Sequence, residues 1–443
     1  MEVIPPAGDA LPRMAAPVPG PRSRELGLRL ARVECRNITR ITSDGPVFWT
    51  GAAGANVCDA DGNIYIDLTA GFGVAMAGHA NPHVAAAIRA QAGVLPHALG
   101  DVQPAEIKVR LLERLAAIAP GDLSVTILGS AGAEAVEAAL KTALLHTGRP
   151  GVIAFEGAYH GLTSGALAVT WRTHFRAPFR TQLADHVRFV PFPAVNDGEA
   201  AARACIERIH GVIAAAEQTA TPIGAILAEP IQGRAGIIVP PPGFLRMLRA
   251  ACDGERIVLI LDEVYTGFGR TGRWFACQHD EIIPDILAVG KALSGSLPVS
   301  AAIGTPAVMR AWPASIGEAI HTSTFLGNPI GCAAALAQID EIEDNHLLAR
   351  AVEVGEQIRA RTESWTTRFE GVTGARGRGA LQAVTFDAPE RAAHVTARAL
   401  REGVIVLTEG ERGDALAITP PAVITHAQLD FALDAIEAAI AGT

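Results

Sequence analysis

Four groups of residues in this chain have the types and spacing to do chemistry, and each stands at the end of a short apolar run. RIVLILDE (Arg256–Glu263) closes on two carboxylates, Asp262 and Glu263. A carboxylate that ends such a run is costly to desolvate unless it meets a cation. Its natural partner is a protonated nitrogen, and the plainer alternative is a salt bridge to Arg270 or Arg273. DILAVG (Asp285–Gly290) delivers Lys291. Lysine is seldom buried, so a strand that aims one into a cleft implies a paired charge or a nucleophilic amine readied by desolvation. LSVTILG (Leu123–Gly129) runs into GSAGAEA, a small-residue turn with Glu134 in the first turn of the helix that follows. Backbone N–H groups at such a turn form an anion cradle that glycine lets a phosphate approach, although a tight strand-to-helix turn would read the same way. GVIAFE (Gly151–Glu156) is followed by GAYHG, which brings Tyr159 and His160 to the same rim. A tyrosine there can lie against a planar ring; a lone aromatic is otherwise core.

These groups need a scaffold that carries several strand ends to one place. The runs above, with IGAILAEP (Ile223–Pro230), are apolar on both faces and alternate with helical patterns between about Val84 and Ala337. That is the pattern of a mostly parallel sheet covered by helices, in which ligands bind beyond the carboxyl ends of the strands. The helix after the first run, GAEAVEAALKTALLH, is expected to pack Val136, Leu140 and Leu144 on the sheet and to pair Glu137 with Lys141. NVCDADGNIYIDL reads as a hairpin around Asp61-Gly62, and the C-terminal end as a Thr425–Gln428 capping box opening a helix with Leu429, Leu433, Ile436 and Ile440. The expected fold is α/β, a large domain over residues 76–336 and a smaller α+β domain from residues 26–75 and 337–443. The Pro-rich residues 1–25 read as a flexible arm. A phosphate cradle, a planar-ring neighbour, a buried Asp and a cleft Lys are together what pyridoxal 5′-phosphate requires.

Composition narrows the alternatives. The chain has 443 residues, a net charge of −9 and 5% aromatic residues, a profile that lacks the basic face a nucleic-acid partner needs. Its apolar residues are dispersed, and the richest stretch, IIPDILAVGKALSGSLPVSAAIG, is broken by Asp285, Lys291 and Pro298, so no membrane span is expected. Six scattered cysteines suggest neither a zinc site nor a disulfide framework; no metal and a cytoplasmic setting are expected. GFGRTG (Gly267–Gly272) fits G-x-G-x-x-G and keeps a nicotinamide-dependent oxidoreductase open, but VYTG separates it from the strand and RWFACQHDE is a poor helix start. No HExxH or GxSxG occurs.

AYHG, EPIQGRAG, LDEVYTGFGRTG, AVGKALSGSLP and HTSTFLGNP, in this order along the chain, resemble the class III, or ω-, aminotransferases of the fold type I pyridoxal-phosphate enzymes. The resemblance runs from about Phe48 to the C-terminal helix and accounts for GFGRTG. It implies that Lys291 forms the Schiff base with the cofactor and shuttles the proton, and that Asp262 keeps the pyridine nitrogen protonated. It implies that Tyr159, with His160 beside it, and Val264 flank the ring, and that the turn Ala131-Gly132-Ala133 takes the phosphate. It further implies that Thr324 reaches the phosphate of a neighbouring subunit, hence a homodimer with sites at the interface, and that Glu229 lies near substrate and cofactor. The activity implied is ping-pong amino transfer between a primary amine or ω-amino compound and a keto acid or aldehyde. A mutase, racemase or decarboxylase would share the same Lys, Asp and phosphate turn.

The chain departs from the family pattern at three places. Ala131-Gly132 stands where Ser-Gly is usual, leaving Ser130 to supply a hydroxyl. Tyr265 stands where many members have Gln. Ala417, in LAITPP, stands where many have the Arg that grips a substrate carboxylate. The favoured substrate is therefore expected to be bulky, neutral or differently anchored, with Arg234 and Arg376 as alternative anchors.

Overall fold

The computed structural model describes residues 7–42 and 45–443. They form two compact units: Pro82–Ala349, and the residues up to Asn81 together with Arg350–Thr443.

Seven strands make the sheet of the Pro82–Ala349 unit: β1 Val125–Gly129, β2 Gly151–Phe155, β3 Val187–Val190, β4 Ile223–Ala228, β5 Val258–Asp262, β6 Ile286–Val289 and β7 Ser300–Gly304. Their order across the sheet is β1-β7-β6-β5-β4-β2-β3, parallel from β6 to β3. β7 runs antiparallel between β1 and β6, inserting between the strand that leads to the Ala131–Ala133 turn and the strand that leads to Lys291. β2, β4, β5, β6 and β7 are buried along their whole length, which is why their sequences show apolar runs and no alternation.

The Gly132–Thr147 helix lies on this sheet with Val136 buried and Leu140 packed against the core as expected, but the face turns further toward Ala135, Ala138, Ala139, Thr142 and Ala143, which leaves Leu144 45% exposed. Small side chains let the helix approach β5 and β6 closely, and a leucine stripe would hold it off. Glu137 serves a neighbouring element: it accepts from Thr163 Oγ1 and from Gly165 N, both at 2.8 Å, at the start of the Ser164–Val169 helix. Lys141 Nζ lies 3.1 Å from His321 Nδ1.

The second unit contains the expected hairpin, Asn56–Asp59 against Ile64–Asp67, with Gly62 at φ 86° in its turn. Val404–Ile405 joins the same sheet in parallel, so sequence from both ends of the chain meets in one layer. An antiparallel sheet of Val372–Arg378, Leu381–Phe386, Leu407–Glu409 and Ala415–Ile418 completes it, with the capped helix His426–Ile440. The described part of the stretch expected to be a flexible arm is held in place. Ala10 N and Ala16 N donate to Asn56 Oδ1 and Asn63 Oδ1 at 2.9 and 2.8 Å, Arg13 pairs with Ile64, and Pro21–Leu30 is helical. Its prolines break regular pairing, and the Asn side chains replace it.

The six cysteines are unpaired, no metal-binding cluster occurs among the described residues, and among them no helix is long and apolar enough to cross a membrane.

Candidate active site

Beyond the carboxyl ends of β1, β2, β4, β5 and β6, the Pro82–Ala349 unit opens into a cavity of about 560 Å³. It is lined by Lys291, Asp262, Val264, Tyr265, Ala131, Gly132, Ala133, Tyr159, His160 and Glu229. Every expected site residue but one is therefore brought to one wall. Thr324 is the exception, an exposed residue in a turn that does not line this cavity. The structure adds Gly161, Leu162, Thr163 and Arg234 to the lining. Gly161 closes AYHG and Leu162 and Thr163 follow it directly, so their place was implicit in that motif.

Asp262 ends β5 and is 5% exposed. Its Oδ2 lies 2.7 Å from Nδ1 of the buried His160, and its Oδ1 accepts from Val264 N at 3.0 Å. One carboxylate oxygen is thus held by the chain's own backbone and the other by an imidazole, which fixes the group's orientation. Glu263 turns the other way. It accepts from Thr266 Oγ1, Ala276 N and Cys277 N and so organises the GFGRTG loop. That string opens no α-helix, which removes the dinucleotide reading.

Lys291 follows β6 and adopts φ 42°, in the left-handed region that a non-glycine side chain enters at a cost of about 1–3 kcal/mol. Gly290 before it packs 3.6 Å from Gly132 Cα, measured from its would-be Cβ, which brings the lysine and the phosphate turn together. Lys291 Nζ stands 3.8 Å from the centroid of the Tyr265 ring.

The 16-residue Gly132–Thr147 helix begins at the cavity with Ala131 as N-cap and no side-chain cap. Ser130 donates its N–H to Glu134 Oε2 at 2.8 Å and is not among the residues that line the cavity. Small residues keep this helix start open. A Cβ on Gly132 would sit 2.9 Å from Val264 Cγ1, and one on Gly161 (φ +121°) would sit 2.6 Å from Ala133 Cβ. The helix start at the cavity, the Tyr159 and Val264 side chains on its wall and the oriented Asp262 fit pyridoxal 5′-phosphate.

Glu229 is fully buried and accepts from Tyr159 N at 3.1 Å and Gly233 N at 2.9 Å. Burial pushes its carboxyl up from 4.5 to about 7, with Asp262 adding to the rise and His160 and the two N–H donors opposing it. Because the folded state holds this proton more tightly than the unfolded state, stability falls as pH rises through the window from 4.5 to about 7. The loss is up to about 3 kcal/mol. Urea unfolding of the cofactor-free protein at pH 5 and pH 8 is expected to show this decline, and Glu229→Gln to flatten it; an equal decline in both proteins would contradict the assignment.

Comparison with known proteins agrees with the geometry. The sequence profile of the class-III aminotransferases matches residues 40–440. A 4-aminobutyrate aminotransferase from Mycobacterium leprae is 36% identical over 95% of this chain and 96% of its own. An amine transaminase from an uncultivated Pseudomonas species, in its PLP-bound form, superposes with a TM-score of 0.86 at 27% identity over 93% of this chain and 98% of that one. The ornithine aminotransferase of Toxoplasma gondii superposes with a TM-score of 0.84 at 29% identity over 95% of each chain. The chain belongs to the class III aminotransferases, and is a transaminase that works with pyridoxal 5′-phosphate on a fold type I scaffold.

Proposed function

We propose that this cavity transfers an amino group from a primary amine or ω-amino compound to a keto acid or aldehyde, with Lys291 and Asp262 as its catalytic pair. The observation that carries the assignment is the arrival of Lys291, Asp262 and the Gly132 helix start at one cavity from three different strands. When bound, pyridoxal 5′-phosphate supplies a carbonyl carbon that captures amines and a ring that accepts the electron pair released at the amino carbon. The N–H groups of Gly132 and Ala133 take the phosphate, where the helix dipole favours an anion. Tyr159 and Val264 would hold the ring between them, and Tyr265 lines the same cavity with Lys291 Nζ over its face. Asp262, oriented by His160 and by Val264 N, holds a proton on the ring nitrogen. Lys291 Nζ would hold the cofactor and, when freed, would take the proton from the donor's amino carbon and return one to the acceptor carbon.

A homodimer with Thr324 reaching the partner's phosphate is part of this proposal. Phe325 and Ile320, 62% and 66% exposed, flank Thr324 with apolar surface that supports such a contact. A monomeric mass for the active enzyme in sedimentation would remove it. Six unpaired cysteines support the cytoplasm as its compartment, which cell fractionation checks.

The activity is tested on the purified, cofactor-loaded protein with 4-aminobutyrate, ornithine and neutral amines as donors and pyruvate, 2-oxoglutarate and aldehydes as acceptors. The expected result is a visible absorbance band that donor alone bleaches and acceptor restores. Amine consumption that needs no acceptor would instead favour a mutase, racemase or decarboxylase.

A further inference from the structure

We infer that the Pro82–Ala349 unit carries a second ligand site, built on Arg176 and Arg180, that takes the phosphate group of a small organic phosphate. The inference goes beyond the transaminase activity and does not rest on it. The site is a cavity of about 400 Å³ whose lining shares no residue with that of the catalytic cavity. Arg176 and Arg180 bring two guanidiniums to its wall and Thr173 a hydroxyl, while Ala177 and Leu183 offer apolar surface.

The sequence around this cavity runs against the charge of the chain. The whole protein has 46 Asp and Glu against 37 Lys and Arg, yet between Glu156 and Asp185 there are three arginines and no acidic residue. Arg172, Arg176 and Arg180 stand four residues apart along the Thr173–Arg176 helical turn and the 3₁₀ stretch Ala177–Gln182. Like charges at that spacing repel one another. Arg172 is engaged elsewhere, donating to the carbonyl of Arg234, and the other two line the cavity.

Arg176 is held in place without being neutralised. Its Cζ stands 4.7 Å from the centroid of the Phe189 ring on β3, and its buried Nε finds no acceptor among the described residues. Burial pushes the pKa of this guanidinium down, and the charge of Arg180 adds to the fall. Asp185 lines the same cavity, but its charge acts on the neighbouring His186 and is not among those that act on Arg176. A cation partly withdrawn from water beside a second cation is costly, and an anion placed between the two reverses both effects. A phosphate monoester suits this wall. Near neutral pH it carries about −1.5 to −2 charges and three acceptor oxygens, enough to meet two guanidiniums and a hydroxyl together. Stacking on Phe189 fixes the plane of the Arg176 fork, which can then present two parallel N–H groups to one phosphate.

The test uses the enzyme loaded with pyridoxal 5′-phosphate, so that the catalytic cavity is filled, and titrates it with glycerol 3-phosphate by calorimetry at fixed ionic strength. Arg176→Ala and Arg180→Ala are each expected to weaken binding about 10- to 100-fold. Asp185→Asn, which removes a like charge from the wall, is expected to strengthen it, and glycerol is expected not to bind. Arg180 is exposed, so Arg180→Ala reads the site even where Arg176→Ala disturbs the packing on Phe189. Absence of glycerol 3-phosphate binding to the wild type, an affinity unchanged in Arg180→Ala, or weaker binding in Asp185→Asn would each overturn the site.

Discussion

Lys291→Ala is expected to leave a folded protein that still takes up pyridoxal 5′-phosphate but has lost amino transfer. The absence of proton transfer at the amino carbon alone accounts for about 10²- to 10⁴-fold, and the loss of covalent capture adds to it. The fold should tolerate the change. The strained φ of 42° belongs to the backbone, and alanine meets it no worse than lysine does. The phosphate turn and Asp262 remain as a non-covalent site. Two measurements check this. Borohydride treatment of the loaded wild type should fix the cofactor to the peptide bearing Lys291, and the variant should show no such mass. The rate of bleaching by donor should fall in parallel. A variant that keeps a tenth of the wild-type rate would place the reacting amine elsewhere.

Asp262→Asn carries the second large effect. Asparagine keeps the shape and can still accept from Val264 N, but it removes the negative charge that, in the proposed function, would hold a proton on the ring nitrogen. Removing a preorganised electrostatic group from a water-poor site costs about 10²- to 10³-fold in rate, and the cofactor should stay bound with an altered absorbance maximum. Asp262→Ala is a poorer probe. It strands the Nδ1 of a fully buried His160, a loss of about 1–3 kcal/mol that would mix instability with catalysis. A rate for Asp262→Asn within tenfold of wild type would break the link between this carboxylate and the ring nitrogen.

Much of the site was legible in the sequence because its residues sit at strand ends. Asp262 and Lys291 are polar residues that close unbroken apolar runs, and the runs are unbroken because β5 and β6 are buried on both faces. The turn proposed to take the phosphate is legible as a candidate for a similar reason: a strand followed at once by small residues and a helix leaves backbone N–H groups exposed. Glu263 could not be separated from Asp262 in this way. Adjacent residues on a strand point to opposite sides, and only the GFGRTG loop, which folds back to donate from Ala276 and Cys277, shows which carboxylate is structural.

Other features were decided by tertiary structure alone. The Gly132–Thr147 helix buries Val136 and packs Leu140 as its period predicts, but a sheet that needs close approach draws in the alanines beside them and leaves Leu144 outside. The N-terminal stretch was read as an arm from its prolines, and the asparagines that hold it lie about 46 residues away. Arg234 was named as a candidate anchor only beside Arg376, which lies in the other unit, on the strand Val372–Arg378. Its place over Tyr159 depends on Glu229, Gln232 and Arg172, drawn from separate segments. By itself the sequence determined which strands are buried and what each delivers at its carboxyl end, because burial imposes a local pattern of apolar residues. Which of those deliveries face one another, and which serve the fold, was left to contacts between residues tens of positions apart, and such contacts leave no periodic trace in the chain.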